Sequence, residues 1–483
     1  MKKTKIIATV GPACNNLKIL KSMISAGVDV CRLNFSFGTH EDHRKLINLI
    51  RRAADETGKS VAIMQDLKGP KIRVGILKAP VAVKRGDSII LSGNDEHKEP
   101  FYIPTTYTKI ASDTKPGKTI LMADGRIILE VEKANKARKE VACKVLCGGT
   151  ILTGKGINLP YTEISLPTLT EKDIADAKFG IEAGVDLLAM SFVRKASDIK
   201  PLRKLLKEYG AADVPIIAKL EKPEALDNLE AILDEVDGVM VARGDLADEI
   251  SFPKVPVAQK RIIASANAKG KLTIVATEML CSMIENPLPT RAEVSDVANG
   301  VLDGADMVML SNETATGKFP VKAVRTMASI ATEAEQIIPE DEYLAEVAME
   351  KGMEVSHAMC LAASFLSHEL NERAIAVLTT TGASARILSK YRPDCVIYAA
   401  THEERVYHRM AAYHNVIPIL LKGDQSSDEH KTAKSVELFK TALQEKRLLK
   451  NGDRVIVLTG FVGPDDKWRM NAIQVLSVPK DQK

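Results

Sequence analysis

Lys219 and Glu221 stand two residues apart at the end of the apolar run Pro215, Ile216, Ile217, Ala218. In an extended chain that spacing puts both side chains on one face, an ammonium beside a carboxylate. The stretch from Gly238 to Leu246 repeats the design: an apolar run, then Arg243, Gly244 and Asp245, with the glycine letting backbone approach a ligand closely. Two carboxylates and a lysine with no neighbouring His or Cys suit a hard divalent ion, Mg²⁺ or Mn²⁺, rather than zinc. Each group taken singly reads equally well as part of a structural ion pair.

Such charges converge only where strands end together. Residues 215–246 read as two buried strands joined by an amphipathic helix, and in parallel α/β proteins ligands collect at the carboxyl ends of such strands. The same pattern predicts strands over Lys5 to Val10, Val28 to Asn34, Ser60 to Asp66, Val185 to Ser191, Pro215 to Leu220, Gly238 to Arg243, Leu272 to Thr277 and Ala305 to Ser311. About eight strands alternating with helical stretches is the number that closes a (β/α)8 TIM barrel. Their carboxyl ends would present Arg32, Asn34 and Ser36; Asp66 and Lys68; Ser191; Lys219 and Glu221; Arg243 and Asp245; Thr277 and Glu278; Ser311 and Glu313. This ring reads as one cavity holding both signs of charge, against the plainer alternative of a solvated rim.

An insertion over residues 72–160 follows the third strand and changes character to short β-rich runs punctuated by glycine. It reads as a small β-barrel domain hung over the active face as a lid that excludes water. After the eighth strand an acidic, helix-prone bridge, PEDEYLAEVAMEKG, precedes a new α/β cycle that reads as a doubly wound domain, with the boundary near Glu342. The expected organisation is therefore barrel over 1–71 and 161–341, lid over 72–160, and a terminal α/β domain for allostery or assembly over 342–483.

Composition removes several function classes. The net charge of +4 is small against 67 basic and 63 acidic residues, which argues against a general nucleic-acid coat. Aromatic residues make up 4% of the chain, with one tryptophan, too few for base stacking along a single strand. The apolar run near the start is broken by Gly11 and Pro12, and no stretch of eighteen apolar residues occurs, so neither a signal segment nor a membrane span is expected. Seven scattered cysteines without metal-ligand spacing fit reduced thiols in a cytoplasmic protein.

With hard-metal ligands, Arg32 and Lys219 for developing phosphoryl charge, and backbone donors at Gly244, phosphoryl transfer is the natural reading of the ring. Neither a Walker GxxxxGK[ST] loop nor a kinase HRD loop with DFG is present, so a nucleotide would bind without either cradle. A metal-dependent barrel lyase or dikinase, or an idle metabolite sensor, are the rival readings; intact Lys219, Glu221 and Asp245 count against the sensor.

TKIIATVGPA, RLNFSFG, DLKGPKIR, IIAKLEKPEAL, GVMVARGDL, VATEML and PTRAEVSDVANGVLDGADMVMLSNETA, in that order, resemble the pyruvate kinase family over nearly the whole chain. The resemblance implies transfer of phosphate from phosphoenolpyruvate to ADP, giving pyruvate and ATP at the last step of glycolysis. It implies Lys219 at the transferring phosphoryl group and enolate oxygen, Glu221 and Asp245 as Mg²⁺ ligands, Arg32 on the phosphate, and Gly244, Asp245 and Thr277 around the substrate carboxylate, with Thr277 near the enolate's proton source. In the lid, GGTILTGKGINLP matches the family's closing segment, which implies nucleotide contacts for Lys155, for Arg73 and for Asn34. It further implies a homotetramer and, at TTTGASAR, a loop for a sugar-phosphate or nucleotide effector formed by Thr379, Thr380, Thr381, Gly382 and Ser384.

Departures from the family pattern carry their own expectations. Members that need K⁺ typically have threonine and glutamate where this chain has Leu67 and Lys71. A monovalent ion would sit among Asn34, Ser36, Asp66 and the Leu67 backbone, and the Lys71 ammonium can supply that charge internally, so K⁺ should not be required. Phe37 stands for the usual histidine, Glu278 for a common glutamine, and Ala123 for the first aspartate of a lid motif, leaving Asp124. Thr380 replaces a lysine that some members carry near the effector loop, which could equally be an ordinary helix cap.

Overall fold

The computed structural model describes residues 2–94, 101–123, 125–338, 354–422, 431–446, 448, 453–462 and 468–477. The acidic bridge 339–352, with the expected boundary at Glu342, and Asp124 lie outside the described residues. Eight parallel strands close a barrel: β1 (Lys5–Thr9), β2 (Val30–Asn34), β3 (Ala62–Asp66), β4 (Leu187–Met190), β5 (Ile216–Leu220), β6 (Gly238–Ala242), β7 (Leu272–Ala276) and β8 (Met307–Leu310). Each pairs with its sequence neighbour, and β1 pairs with β8, Lys5 opposite Met307, to seal the ring. All eight expected strands are present, one to three residues shorter than their apolar patterns.

Period-two alternation decides what each strand offers the interior. Val30, Met64, Ala189 and Ile217 belong to the cluster that fills the barrel, while Cys31, Leu33, Ile63 and Ala218 pack outward under the helices. Two residues on, the inward register of the same strands meets Arg32, Asp66, Ser191 and Lys219. An apolar plug thus gives way to charge at the carboxyl ends. Three of the surrounding helices begin with a capping box, Thr39 with Asp42, Thr170 with Asp173 and Thr290 with Glu293, each worth about 1 kcal/mol.

The opposite end of the barrel carries a fourfold repeat. Asp29, Asp186, Asp237 and Asp306 each stand one residue before an even-numbered strand, and each carboxylate accepts the backbone N–H of a residue on the preceding strand or at its edge: Ile6 at 2.8 Å, Ile63 at 2.6 Å, Ile216 at 3.0 Å and Thr273 at 2.8 Å. Each is paired with a cation, Lys2 at 2.6 Å, Arg51 at 2.8 Å, Arg203 at 2.8 Å and Arg392 at 2.8 Å respectively.

The insertion after β3 forms a six-stranded half-barrel sheet between Ser88 and Asn158, with a two-stranded ribbon pairing Val81–Val83 to Gly149–Ile151, around a separate apolar core. Its two connections to the barrel are tied to each other: Val74 N–H donates to the Lys155 carbonyl at 2.8 Å, and Ile157 N–H to the Ile72 carbonyl at 2.9 Å. The terminal segment builds a sheet in the order β11 (Val416–Leu420), β10 (Val396–Thr401), β9 (Ala374–Leu378), β12 (Arg454–Val462), β13 (Trp468–Ser477), parallel except for β13. Apolar residues cover both faces of that sheet. Among the described residues no helix is long and apolar enough to cross a membrane.

Candidate active site

β5 ends in the group around which the others gather. The Lys219 ammonium lies 2.9 Å from Glu221 Oε1 and 3.3 Å from Asp66 Oδ1, and donates to Ser191 Oγ at 2.8 Å. Burial works against its charge, but Asp66 and Glu221 overcome it and hold the ammonium above its ordinary value. Asp66, 2% exposed, is opposed by burial yet held below the usual carboxylate range by Lys219 and Arg32. Arg32 reaches it from β2, Nε donating to Asp66 Oδ2 at 2.7 Å and Nη1 to Thr9 Oγ1 at 2.9 Å.

Glu221 is 1% exposed. Its Oε2 accepts the Phe192 N–H at 2.8 Å, while Oε1 touches Lys219 out of line for a hydrogen bond and has no hydrogen-bond partner. Burial pushes this carboxyl up, Lys219 offsets part of that, and Asp245 adds to it. Asp245, on helix Arg243–Ile250 after β6, faces burial too but is drawn down by Lys71, whose ammonium donates to Asp245 Oδ1 at 2.8 Å. Two neighbouring carboxylates, Glu221 with a buried oxygen that takes no hydrogen bond and Asp245 with Oδ1 on Lys71, make an all-oxygen donor set that fits a hard divalent ion. No cluster of three or more His, Cys, Asp or Glu able to hold a metal occurs among the described residues, so two carboxylates are what the chain offers here.

Around this centre the backbone is held in an unusual shape. Thr277, just past β7, has φ 70°, and Glu278 has φ 55°, a conformation that costs a β-branched residue about 1–3 kcal/mol. Thr277 Oγ1 accepts the Gly244 N–H at 2.8 Å and donates to the Ala276 carbonyl at 2.6 Å, so β7 positions the first turn after β6. Gly69, with φ 66°, lies so close to Ser191 and Phe192 that a Cβ there would meet both at 2.9 Å.

The remaining expected residues divide. Asn34 Oδ1 accepts the Ser36 N–H at 3.0 Å at the end of β2, and the Leu67 carbonyl is taken by the Ser191 hydroxyl at 2.8 Å. Lys71 meets Asp245 rather than Asp66, which Arg32 and Lys219 occupy. Arg73 donates to the Gly154 carbonyl at 2.8 Å on the lid connection, and Lys155 is exposed beside it. Phe37 is 71% exposed and Ala123 has φ 53°. Arg243 is consumed by a bidentate pair with Asp296, at 2.6 and 2.7 Å. Glu313 accepts the Leu280 and Ser311 N–H groups at 3.2 and 2.7 Å, a structural role. In the terminal domain, Thr379 and Thr381 hydroxyls accept the Gly382 and Ala383 N–H groups at 3.0 and 3.3 Å ahead of helix Ala383–Lys390; Thr380 is exposed and Ser384 buried.

Four neighbouring residues carry no clear mark in the sequence. Thr9 orients Arg32. Lys222, next to Glu221, forms a buried pair with Glu249 at 2.6 Å, and Asn158 of the lid connection donates to the same oxygen at 3.3 Å. The position of Lys222 directly after Glu221 was the available signal.

The family model described as pyruvate kinase, barrel domain, matches residues 1–324, and that described as pyruvate kinase, alpha/beta domain, matches residues 357–476. The chain is 40% identical to a pyruvate kinase of Bacillus licheniformis over 96% of this chain and 78% of the relative. It is 41% identical to one of Staphylococcus aureus (strain MRSA252) over 95% and 78%, and 40% identical to one of Geobacillus stearothermophilus over 99% and 81%.

Proposed function

The chain belongs to the pyruvate kinase family, and from that premise we propose that the charged mouth of its barrel moves the phosphoryl group of phosphoenolpyruvate onto ADP, leaving pyruvate. The observation that carries the reading is the buried Lys219 between Asp66 and Glu221, whose Oε1 meets the ammonium at 2.9 Å and takes no hydrogen bond. In the transfer, a β-phosphate oxygen of ADP attacks phosphorus, the bond from phosphorus to the enol oxygen breaks, and the enolate takes a proton at its methylene carbon.

Lys219, kept charged by two carboxylates, faces the negative charge that builds on the phosphoryl and enolate oxygens and acts as a fixed cation. Arg32, anchored by Asp66 and Thr9, holds the phosphate in place. The substrate carboxylate lies against Gly244, Asp245 and Thr277, near the enolate's proton source, where the Gly244 N–H bond to Thr277 Oγ1 holds the turn in place. Asn34, Arg73 and Lys155 receive the nucleotide, and the inserted half-barrel closes over it to exclude water. Glu221 and Asp245 would hold Mg²⁺ or Mn²⁺, which supplies Lewis-acid neutralisation of the substrate oxygens when bound. A coupled assay with phosphoenolpyruvate, ADP and Mg²⁺ should yield pyruvate and ATP in equal amounts. Absence of both would overturn the reading and favour a lyase or a sensor.

The finer reading is that turnover needs no K⁺. Leu67 has no side-chain oxygen for a monovalent ion and its carbonyl is already engaged by Ser191; Lys71, expected to supply the charge internally, is held at Asp245 instead, so the reading is supported by Leu67 and by the Arg32 and Lys219 cations already on Asp66. Replacing an inert salt by KCl at constant ionic strength should leave the rate unchanged, and a large rise would contradict it.

Two further points rest on the family alone. The loop Thr379 to Ser384 takes a phosphate effector or is a plain helix cap; its own threonines already satisfy two amides, which supports the cap. Fructose 1,6-bisphosphate, ribose 5-phosphate or AMP shifting the phosphoenolpyruvate saturation curve would decide for the effector. A homotetramer is expected by sedimentation, in the cytoplasm.

A further inference from the structure

Lys71 and Asp245 are 174 residues apart in the chain and meet at 2.8 Å. Their positions matter more than the pair's strength. Lys71 sits on the outgoing connection to the inserted half-barrel, five residues past the end of β3. Its stem lies against the returning connection, with Cε 3.5 Å from where a Cβ on Gly156 would be. The two connections are bonded to each other through Val74 with Lys155 and Ile157 with Ile72. Asp245 opens helix Arg243–Ile250, and the residues three and four places on share its face. Both of these meet the inserted domain or its connection: a Cβ on Gly125 would come 3.2 Å from Asp248 Oδ1, and Asn158 donates to Glu249 at 3.3 Å. One acidic helix face therefore seats the lid, and Asp245, one of its three acids, is also a metal ligand in the proposed function.

Resting on that metal assignment, we infer that Lys71 is a built-in stand-in for the divalent cation: it occupies Asp245 until the metal arrives, and its displacement frees the connection it sits on, so that metal binding loosens the seat of the lid. Two cations cannot share one carboxylate oxygen at contact distance without strong repulsion. The ammonium, on a flexible stem and a little over a quarter exposed, is the one able to swing away. The Lys222 pair with Glu249, 8% and 1% exposed, stays as the fixed half of the seat. Without metal the lid is thus tethered at Asp245 and Glu249, and with metal at Glu249 alone.

The test uses the full-length protein without substrates. Free Mn²⁺ counted by electron paramagnetic resonance gives the metal affinity of the wild type, Lys71→Met, Lys71→Arg and Asp245→Asn. Lys71→Met should bind Mn²⁺ about fivefold more tightly, the upper value for a partly exposed pair, and Lys71→Arg should restore the wild-type affinity. Hydrogen exchange at the Val74 and Ile157 amides, measured with and without Mg²⁺, gives the second readout. Mg²⁺ should speed exchange there in the wild type, whereas in Lys71→Met exchange should be fast already and indifferent to Mg²⁺. Wild-type affinity and wild-type exchange in Lys71→Met would overturn the inference while leaving the metal site standing, provided Asp245→Asn weakens Mn²⁺ binding. Unchanged Mn²⁺ binding in Asp245→Asn would remove the metal reading and this inference together.

Discussion

Lys219 is the residue on which the reaction should be most sensitive. Lys219→Met removes the one cation that touches both Asp66 and Glu221, and by analogy with the loss of a preorganised donor, kcat should fall by at least about 10²–10³ while the circular dichroism spectrum is kept. A variant retaining near-normal turnover would refute its role. Its place was legible in the sequence because a charge two positions from a second charge, at the end of an apolar run, has few reasons to exist on a buried strand. The partner of Lys71 was not legible. Nothing in DLKGPKIR indicates that its second lysine bends towards a helix that starts 172 residues later, because that meeting is made by the path of the lid connection.

Among elements, helix Arg243–Ile250 and the lid connections form the joint that the sequence concealed. Lys222→Met would leave Glu249 buried, already pushed up by burial, with Asn158 as its remaining donor. Breaking a buried pair in this way costs about 3–5 kcal/mol. Denaturant unfolding should show that loss, and Lys222→Met combined with Glu249→Leu should recover much of it; a single variant as stable as the wild type would show the pair to be dispensable. The strands themselves were legible to within a residue or two, because buried parallel strands read as continuous apolar runs. The runs extend past the ladder at the active face, where Thr277 takes a positive φ and leaves the sheet at Ala276, and hydrophobicity gives no warning of that turn.

At the scale of the molecule, the terminal domain is fastened to the base of the barrel by Asp306, which is fully buried and paired with Lys390 and with Arg392 at 2.8 Å. Burial, only partly offset by Asp306, lowers Lys390 from 10.5 to about 8. Between those values the unfolded chain holds the proton that the folded one has lost, so this group makes stability rise with pH, by up to about 1.4 kcal/mol per unit, from about pH 8 to about 10.5. Unfolding free energies of the wild type minus those of Lys390→Met should climb across that window; a flat difference would refute the assignment. The three-part organisation was visible from changes in residue pattern. The fourfold aspartate repeat was overlooked, although Ala-Gly-Val-Asp occurs twice, at 26–29 and 183–186, with Glu-Val-Asp at 235–237 and Gly-Ala-Asp at 304–306. That repeat makes the closed ring behave as four stapled pairs of staves rather than eight equal ones. At the base of the barrel the joints within a pair carry a carboxylate staple, whereas side-chain bonds across the joints between pairs, such as Arg32 to Asp66 and Lys219 to Ser191, lie at the opposite, active face. Pulled open from its base, the cask should part first at the four joints unstapled there, between β2 and β3, β4 and β5, β6 and β7, and β8 and β1, with the last pair pinned from outside by the terminal domain.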